Sequence, residues 1–312
     1  TLDCNNATLN GSRAEVGILL QEVEGATIKN CRLIGYSNGI VLNFSRNNLI
    51  TNNFINATIE DGIFRGGAIF LASSANNSII NNSLFPYCCA IAYGMLMRFS
   101  NYNKVSGNRI YNFTEGLRME QGSSNVISKN EISLSRVKPS IAILIAGSLF
   151  NEISNNSIKK NSHGLWLSFS SDNIIIDNDV SANEISALDI LSGSQNNIIR
   201  ANNISKNDRG ITASVGNVNE INYIENNTIS YNNYGVEANF NNIVRDNRIK
   251  GNGFGIRVPF DNVTITGNKI LENGVGVYVQ SAGNTRKGNN ITLNEIKSST
   301  VGILLESPNH TI

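Results

Sequence analysis

The stretch Val244-Arg245-Asp246-Asn247-Arg248-Ile249 and its near copy Ile265-Thr266-Gly267-Asn268-Lys269-Ile270 decide how the chain folds. Both read aliphatic-x-x-Asn-x-aliphatic, and the phrase recurs as Val105-Ser106-Gly107-Asn108-Arg109-Ile110 and Ile50-Thr51-Asn52-Asn53-Phe54-Ile55. Its asparagine returns at Asn53, Asn82, Asn108, Asn130, Asn156, Asn178, Asn202, Asn227, Asn247, Asn268 and Asn294, with Cys31 in the same place one repeat earlier. The mean step is about 24 residues, a period that signals stacked structural repeats.

After each phrase comes a polar turn, then usually a glycine followed by alternating aliphatics, as in Gly164-Leu165-Trp166-Leu167, Gly255-Ile256-Arg257-Val258 and Gly276-Val277-Tyr278-Val279. Period-two alternation in short runs bounded by Asn, Gly and Ser reads as β-strand, and no segment holds a helical period. The expected fold is all-β, a single-stranded parallel β-helix (β-solenoid) of about 13 coils of about 24 residues, one domain spanning 1–312. Inward aliphatics stack from coil to coil; the alternation puts Ile40, Ala68, Met95, Ile141, Leu165 and Ile256 inside. The repeated asparagine bonds to its copies above and below, which accounts for most of this residue type as structural.

Composition agrees with a packed rod. Of 312 residues, 53 are Asn and 41 Ile, with 40% hydrophobic and 16% charged. That balance excludes an intrinsically disordered chain, and no apolar run reaches the roughly 18 residues of a membrane span. A formal net charge of +1 excludes nucleic acid as a partner, since no basic surplus exists to displace counterions from phosphates. The N-terminal Thr1-Leu2-Asp3-Cys4 and the repeat-like ending Asn309-His310-Thr311-Ile312 are those expected of a piece of a longer surface protein.

The phrases Leu2-Asp3-Cys4-Asn5-Asn6-Ala7-Thr8-Leu9 and Ala26-Thr27-Ile28-Lys29-Asn30-Cys31-Arg32-Leu33-Ile34-Gly35, with the Asn-x-Ile and Gly-Ile repeats, resemble the right-handed parallel β-helix superfamily. The likeness is to its carbohydrate-binding and sugar-hydrolase domain, which includes periplasmic copper-binding accessory proteins and archaeal cell-surface proteins. The resemblance implies right-handed coiling and an extracellular or cell-surface setting, periplasmic in a Gram-negative source. It implies no activity by itself, because fold does not fix function. Gly-His-Gly with paired Asp, and Asp-Pro-His-Glu, which mark polygalacturonase-like and epimerase sites, are absent; Ser162-His163-Gly164 is the nearest phrase.

Function therefore rests on the outward residues of the glycine-led strands. Trp166, Asp189, Glu237, Arg257 and Tyr278 fall in one outward column, and aromatic faces beside polar groups suit sugar rings. They form the expected carbohydrate-binding face, with polysaccharide or other surface proteins as partners. A rival enzymatic reading, inverting hydrolase or lyase, uses Asp189 and Glu237 with Arg257, since two coil spacings of about 9–10 Å approach the carboxyl separation of inverting glycosidases. Earlier in the column Leu19, Val41, Ile69 and Leu96 are apolar outside. That is expected either of an interface, including a homo-oligomer, sheath or filament, or of a loop from residues 57–71 or 85–93 lying over it.

Neither metal nor cofactor is expected. Met95, Met97 and Met119 fall inward as core, and His163 is far from His310, which leaves no copper donor set. Cys4 and Cys31 sit at different points of the coil, and vicinal Cys88 and Cys89 must face opposite sides of a strand, so buried free thiols are expected. Thirteen Asn-x-Ser/Thr sequons, among them Asn6, Asn10, Asn43, Asn56, Asn112, Asn262 and Asn290, are candidate glycosylation positions.

Overall fold

The structure, a computed structural model, describes residues 1–12, 16–57, 67–86, 93–133, 138–191, 193–214, 220–280, 288–308 and 310–312. Among the described residues every element is a strand, joined by turns. The chain divides into two compact units, Thr1–Ser162 and His163–Ile312. Both are built from one kind of coil, two short strands followed by a longer one of five or six residues, as in Val126–Ser128, Glu131–Ser133 and Ile141–Ala146. The preceding coil, Lys104–Ser106, Arg109–Tyr111 and Glu115–Glu120, pairs with these three in parallel and in register. Three parallel sheets result, giving an all-β solenoid of about 11–13 coils of about 24 residues.

Local chemistry explains the corners. Asn226, Asp246 and Gly267 hold φ of 54°, 56° and 67°, the left-handed region that Gly, Asn and Asp tolerate best. Each is followed by the buried amide of Asn227, Asn247 or Asn268. Nδ2 of Asn227 donates to Oδ1 of Asn247, and that of Asn247 to Oδ1 of Asn268, both at 3.0 Å. The same oxygens accept the backbone N–H groups of Asn227 and Asn247. Each side chain thus turns the corner and satisfies backbone groups of its neighbours, which would otherwise be buried unpaired.

Two further columns, absent from the repeat read in the sequence, do the same at other corners. One runs through Asn48, Asn77, Asn103 and Asn125, the other through Asn183, Asn207, Asn232 and Asn252. Between corners the middle residue of each short strand points in, as Ile199, Ile224 and Val244 do with no exposure. Burying each contributes about 1.5–3 kcal/mol.

The structure corrects three expectations. First, Ile69 is a core residue, aligned with Ile40 and Met95, and Phe70 takes the outward place beside Val41 and Leu96. Ala68 occupies the position that glycine holds in most coils, its carbonyl lying against Gly39, so counting from Gly67 slips the register by one. A slip of one residue exchanges the two faces of a strand. The same exchange at Ala142 puts Ile143 inside and Leu144 outside, instead of Ile141 and Ala142.

Second, the apolar outer patch is not open. Val41, Phe70, Tyr93 and Leu96 form a cluster closed to solvent within the chain, with Val16 and Ala72 packed against it. Of the expected interface residues only Leu19 is exposed, at 55%. The cover proposed from residues 57–71 or 85–93 lies partly outside the described residues. At the edge of the cluster Arg118 lies over the Tyr93 ring, 5.7 Å from its centre, and pairs with Glu115 and Glu120. Burial opposes ionisation of Glu120, but hydrogen bonding to Arg98 and the charge of Arg118 hold its carboxyl below the ordinary value.

Third, Cys4 and Cys31 are joined in a disulfide with Cα atoms 4.8 Å apart. Asp3 pairs with Lys29, so Cys4 is offset from Cys31 by only one residue, and their different points on the coil do not keep the two sulfurs apart. Cys88 and Cys89 lie outside the described residues. Reducing the 27-residue closure is expected to lower stability by about 2–4 kcal/mol. A melting curve with and without reductant checks this, and coincident curves would refute it.

Candidate functional site

The outer face of the long strands in the second unit brings two columns of side chains together. Register aligns Trp166, Asp189, Thr212, Glu237, Arg257 and Tyr278 across six successive strands. Beside it, from the residue that precedes each glycine or its alanine replacement, run His163, Ser186, Arg209, Tyr234 and Phe254. The five residues expected from the sequence therefore share one face. The second column was missed, although its members can be read directly before Gly164, Ala187, Gly210, Gly235 and Gly255.

At one end of the face, Nδ1 of His163 lies 2.7 Å from Oγ of Ser186 and 2.9 Å from Oδ2 of Asp189. Ser186 Oγ also donates to that carboxylate. A carboxylate on Nδ1 fixes the tautomer with the proton there and directs the Nε2 lone pair away. Serine and aspartate meet the same ring nitrogen, so this is not the relay in which serine gives its proton to the opposite one. The Trp166 ring stands 4.9 Å from the imidazole, presenting a flat apolar surface beside it.

At the other end Arg257 organises the face. Its Nη1 donates to Oε2 of Glu237 at 2.7 Å and its Nη2 to Oε1 of Gln280 at 2.5 Å. Its guanidinium lies 5.6 Å from the centre of the Tyr234 ring, which Arg209 approaches from the preceding strand at 5.9 Å. Tyr234 stacks on Phe254 at 5.2 Å and 7°, and Phe254 meets Tyr278 at 5.5 Å. Burial, reinforced by a hydrogen bond to Glu306, pushes the Tyr278 phenol above its ordinary value, so it is a neutral donor at any ordinary pH. Asp189 and Glu237 are both nearly buried. Between their strands Thr212 keeps a buried Oγ1 with no hydrogen-bond partner.

The two carboxylates expected to act as an acid–base pair are thus already engaged, Asp189 by His163 and Ser186, Glu237 by Arg257. Of the glycosylation candidates, Asn6, Asn10, Asn262 and Asn290 are exposed, while Asn43, Asn56 and Asn112 are partly buried.

A family model described as a right-handed β-helix region matches residues 16–180, more than half of the chain. The chain belongs to that family. This β-helix also matches a model for the periplasmic copper-binding protein NosD over 135–242 and 222–312. Its described residues do not fit copper: Met95, Met97 and Met119 are fully buried core, and no three of His, Cys, Asp and Glu gather to hold a metal ion among them.

Among solved structures, the β-helix is similar to the A-module of a mannuronan C-5 epimerase from Azotobacter vinelandii. The TM-score is 0.68 at 14% identity, covering 96% of this chain and 91% of that one. It is similar to the Dettilon tailspike protein, with TM-score 0.58, 17% identity, and 96% and 62% of the two chains covered. A periplasmic alginate epimerase gives TM-score 0.53 at 14% identity over 92% and 78%. At such identities the likeness is one of fold. No curated protein matches in sequence. Among the described residues no helix is long and apolar enough to cross a membrane.

Proposed function

We propose that this β-helix is an extracellular, structural or adhesive segment of a cell-surface protein, and that the Trp166-to-Tyr278 face holds polysaccharide. The observation that carries the reading is the face itself: aromatic rings lie among charged and hydrogen-bonding side chains that fix one another. Such a surface offers stacking to the C–H faces of sugars and preset partners to their hydroxyls, with less side-chain ordering required at binding. The fold it shares with mannuronan and alginate epimerases supports a carbohydrate ligand. The Cys4–Cys31 disulfide suits an oxidising compartment outside the cytoplasm.

Titration calorimetry with neutral and uronic-acid polysaccharides tests this. Trp166→Ala is expected to weaken binding by about tenfold, or about 1.4 kcal/mol, with an unchanged melting curve. Binding by no polysaccharide, or equal binding by the variant, would remove the proposal.

One observation favours a catalytic reading instead. His163, aligned by Asp189 and standing beside Trp166, has the arrangement of a general base facing a bound sugar. Turnover of any polysaccharide that His163→Gln abolishes would replace the adhesive reading with that one. A sheath or filament built on Val41 and Leu96 loses its basis, because both are closed within the chain.

A further inference from the structure

The first unit carries exposed aromatic rings at two neighbouring corner positions of its coils. Phe44, Phe99, Tyr102 and Phe150 are 61%, 58%, 62% and 61% exposed. Their φ angles are 48°, 48°, 58° and 56°, the left-handed corner conformation that residues of many kinds take in this chain. All four sit where the long strand turns into the next short one.

Coil-to-coil hydrogen bonds set their positions. Phe44 N donates to Ala72 O, and Ser73 N to Arg98 O, which places Phe99 two coils beyond Phe44. Tyr102 N donates to Ser123 O, and Ser124 N to Leu149 O, which places Phe150 two coils beyond Tyr102. At equivalent positions other coils use Ser73, Asn76, Gln121 and Ser124, so the corner itself does not require an aromatic ring. The same backbone holds Lys129, Ala182, Glu272 and Leu293 at other corners, so what marks these four positions is the exposure of large apolar rings at regular spacing.

Two coils span about 10 Å, close to one disaccharide of an extended 1→4-linked glycan, in which every second sugar shows the same face. Nearby cations are balanced: Arg46 pairs with Glu24 at 2.9 Å and Arg98 with Glu120, and exposed Lys104 is offset by exposed Glu22 and Glu152. Neutral amides, Asn47, Asn76 and Gln121, stand between the rings. An anionic polymer or lipid surface has no surplus of cations to meet here.

We propose that Phe44, Phe99, Tyr102 and Phe150 form a docking strip for a neutral, extended 1→4-linked glycan lying along the stack of coils, separate from the Trp166 face. Cello- and manno-oligosaccharides of increasing length, titrated into the full chain, test it together with the double variant Phe99→Asn, Tyr102→Asn. Asparagine tolerates this backbone, so the variant should melt at the same temperature or higher.

The expected result is affinity that rises until the oligosaccharide spans Phe44 to Phe150, and a loss of about tenfold or more in the variant. Neutral oligosaccharides that do not bind, or that bind the variant equally, overturn the strip. Binding lost in Trp166→Ala but kept in the double variant also overturns it, while leaving the Trp166 face intact. Sedimentation with phosphatidylcholine vesicles, or self-association, that disappears in the double variant would assign the rings to a membrane or a second copy and overturn the glycan.

Discussion

Asn202→Leu is expected to lower the unfolding free energy by about 3–5 kcal/mol, whereas Asn203→Leu, one residue on, should change it by less than about 0.5 kcal/mol. Asn202 is buried and its Nδ2 donates to Ile175 O, Arg200 O and Asn227 Oδ1 at 2.9, 2.9 and 3.0 Å. Its Oδ1 accepts from N and Nδ2 of Asn178 at 2.9 and 3.0 Å. Leucine fills the space but leaves the Asn178 backbone N–H and the Ile175 carbonyl without this partner in a dry interior. Neighbouring Asn203 is exposed and makes one long contact of 3.3 Å to Asp179. Chemical denaturation of both variants is the measurement, and equal midpoints would show that the buried amides do not hold the corners.

The second large effect is expected at Ile69→Lys, which should cost about 5 kcal/mol or more, because an ammonium would enter an apolar core with no partner. Ile69 has no exposure and stacks between Ile40 and Met95. Leu96→Lys, on the outer side but equally closed, should also unfold the coil. By contrast Leu19→Lys, at an exposed site, should leave the melting temperature almost unchanged. If Ile69 lay at an open outward position like that of Leu19, Ile69→Lys would express and melt like the parent. Circular dichroism during heating distinguishes these outcomes.

Much of the architecture is legible because a solenoid repeats its own physics. A period of about 24 residues with Asn at one corner and Gly before the long strand states the coil length, the strand type and the parallel stacking in one dimension. Legibility failed where one residue type replaces another at equal geometry. Ala68 and Ala142 stand in for glycine and shift the apparent register. The Cys4–Cys31 bond escaped because the two cysteines fall at different points of the coil, although adjacent coils bring them within one residue of register.

The candidate site divides in the same way. Outward positions could be counted, so Trp166, Asp189, Glu237, Arg257 and Tyr278 were placed on one face from the alternation alone. Their partners could not be, since a contact between coils joins residues some 20 to 26 positions apart and depends on rotamers. Only the folded chain turns His163 and Ser186 toward Asp189, gives Glu237 to Arg257, and lays Tyr234 against Phe254. Local pattern determined the coil, because each coil obeys the same short-range rules. Tertiary structure decided which side chains meet, because lateral stacking converts a period in sequence into a distance of about 4.8 Å between strands.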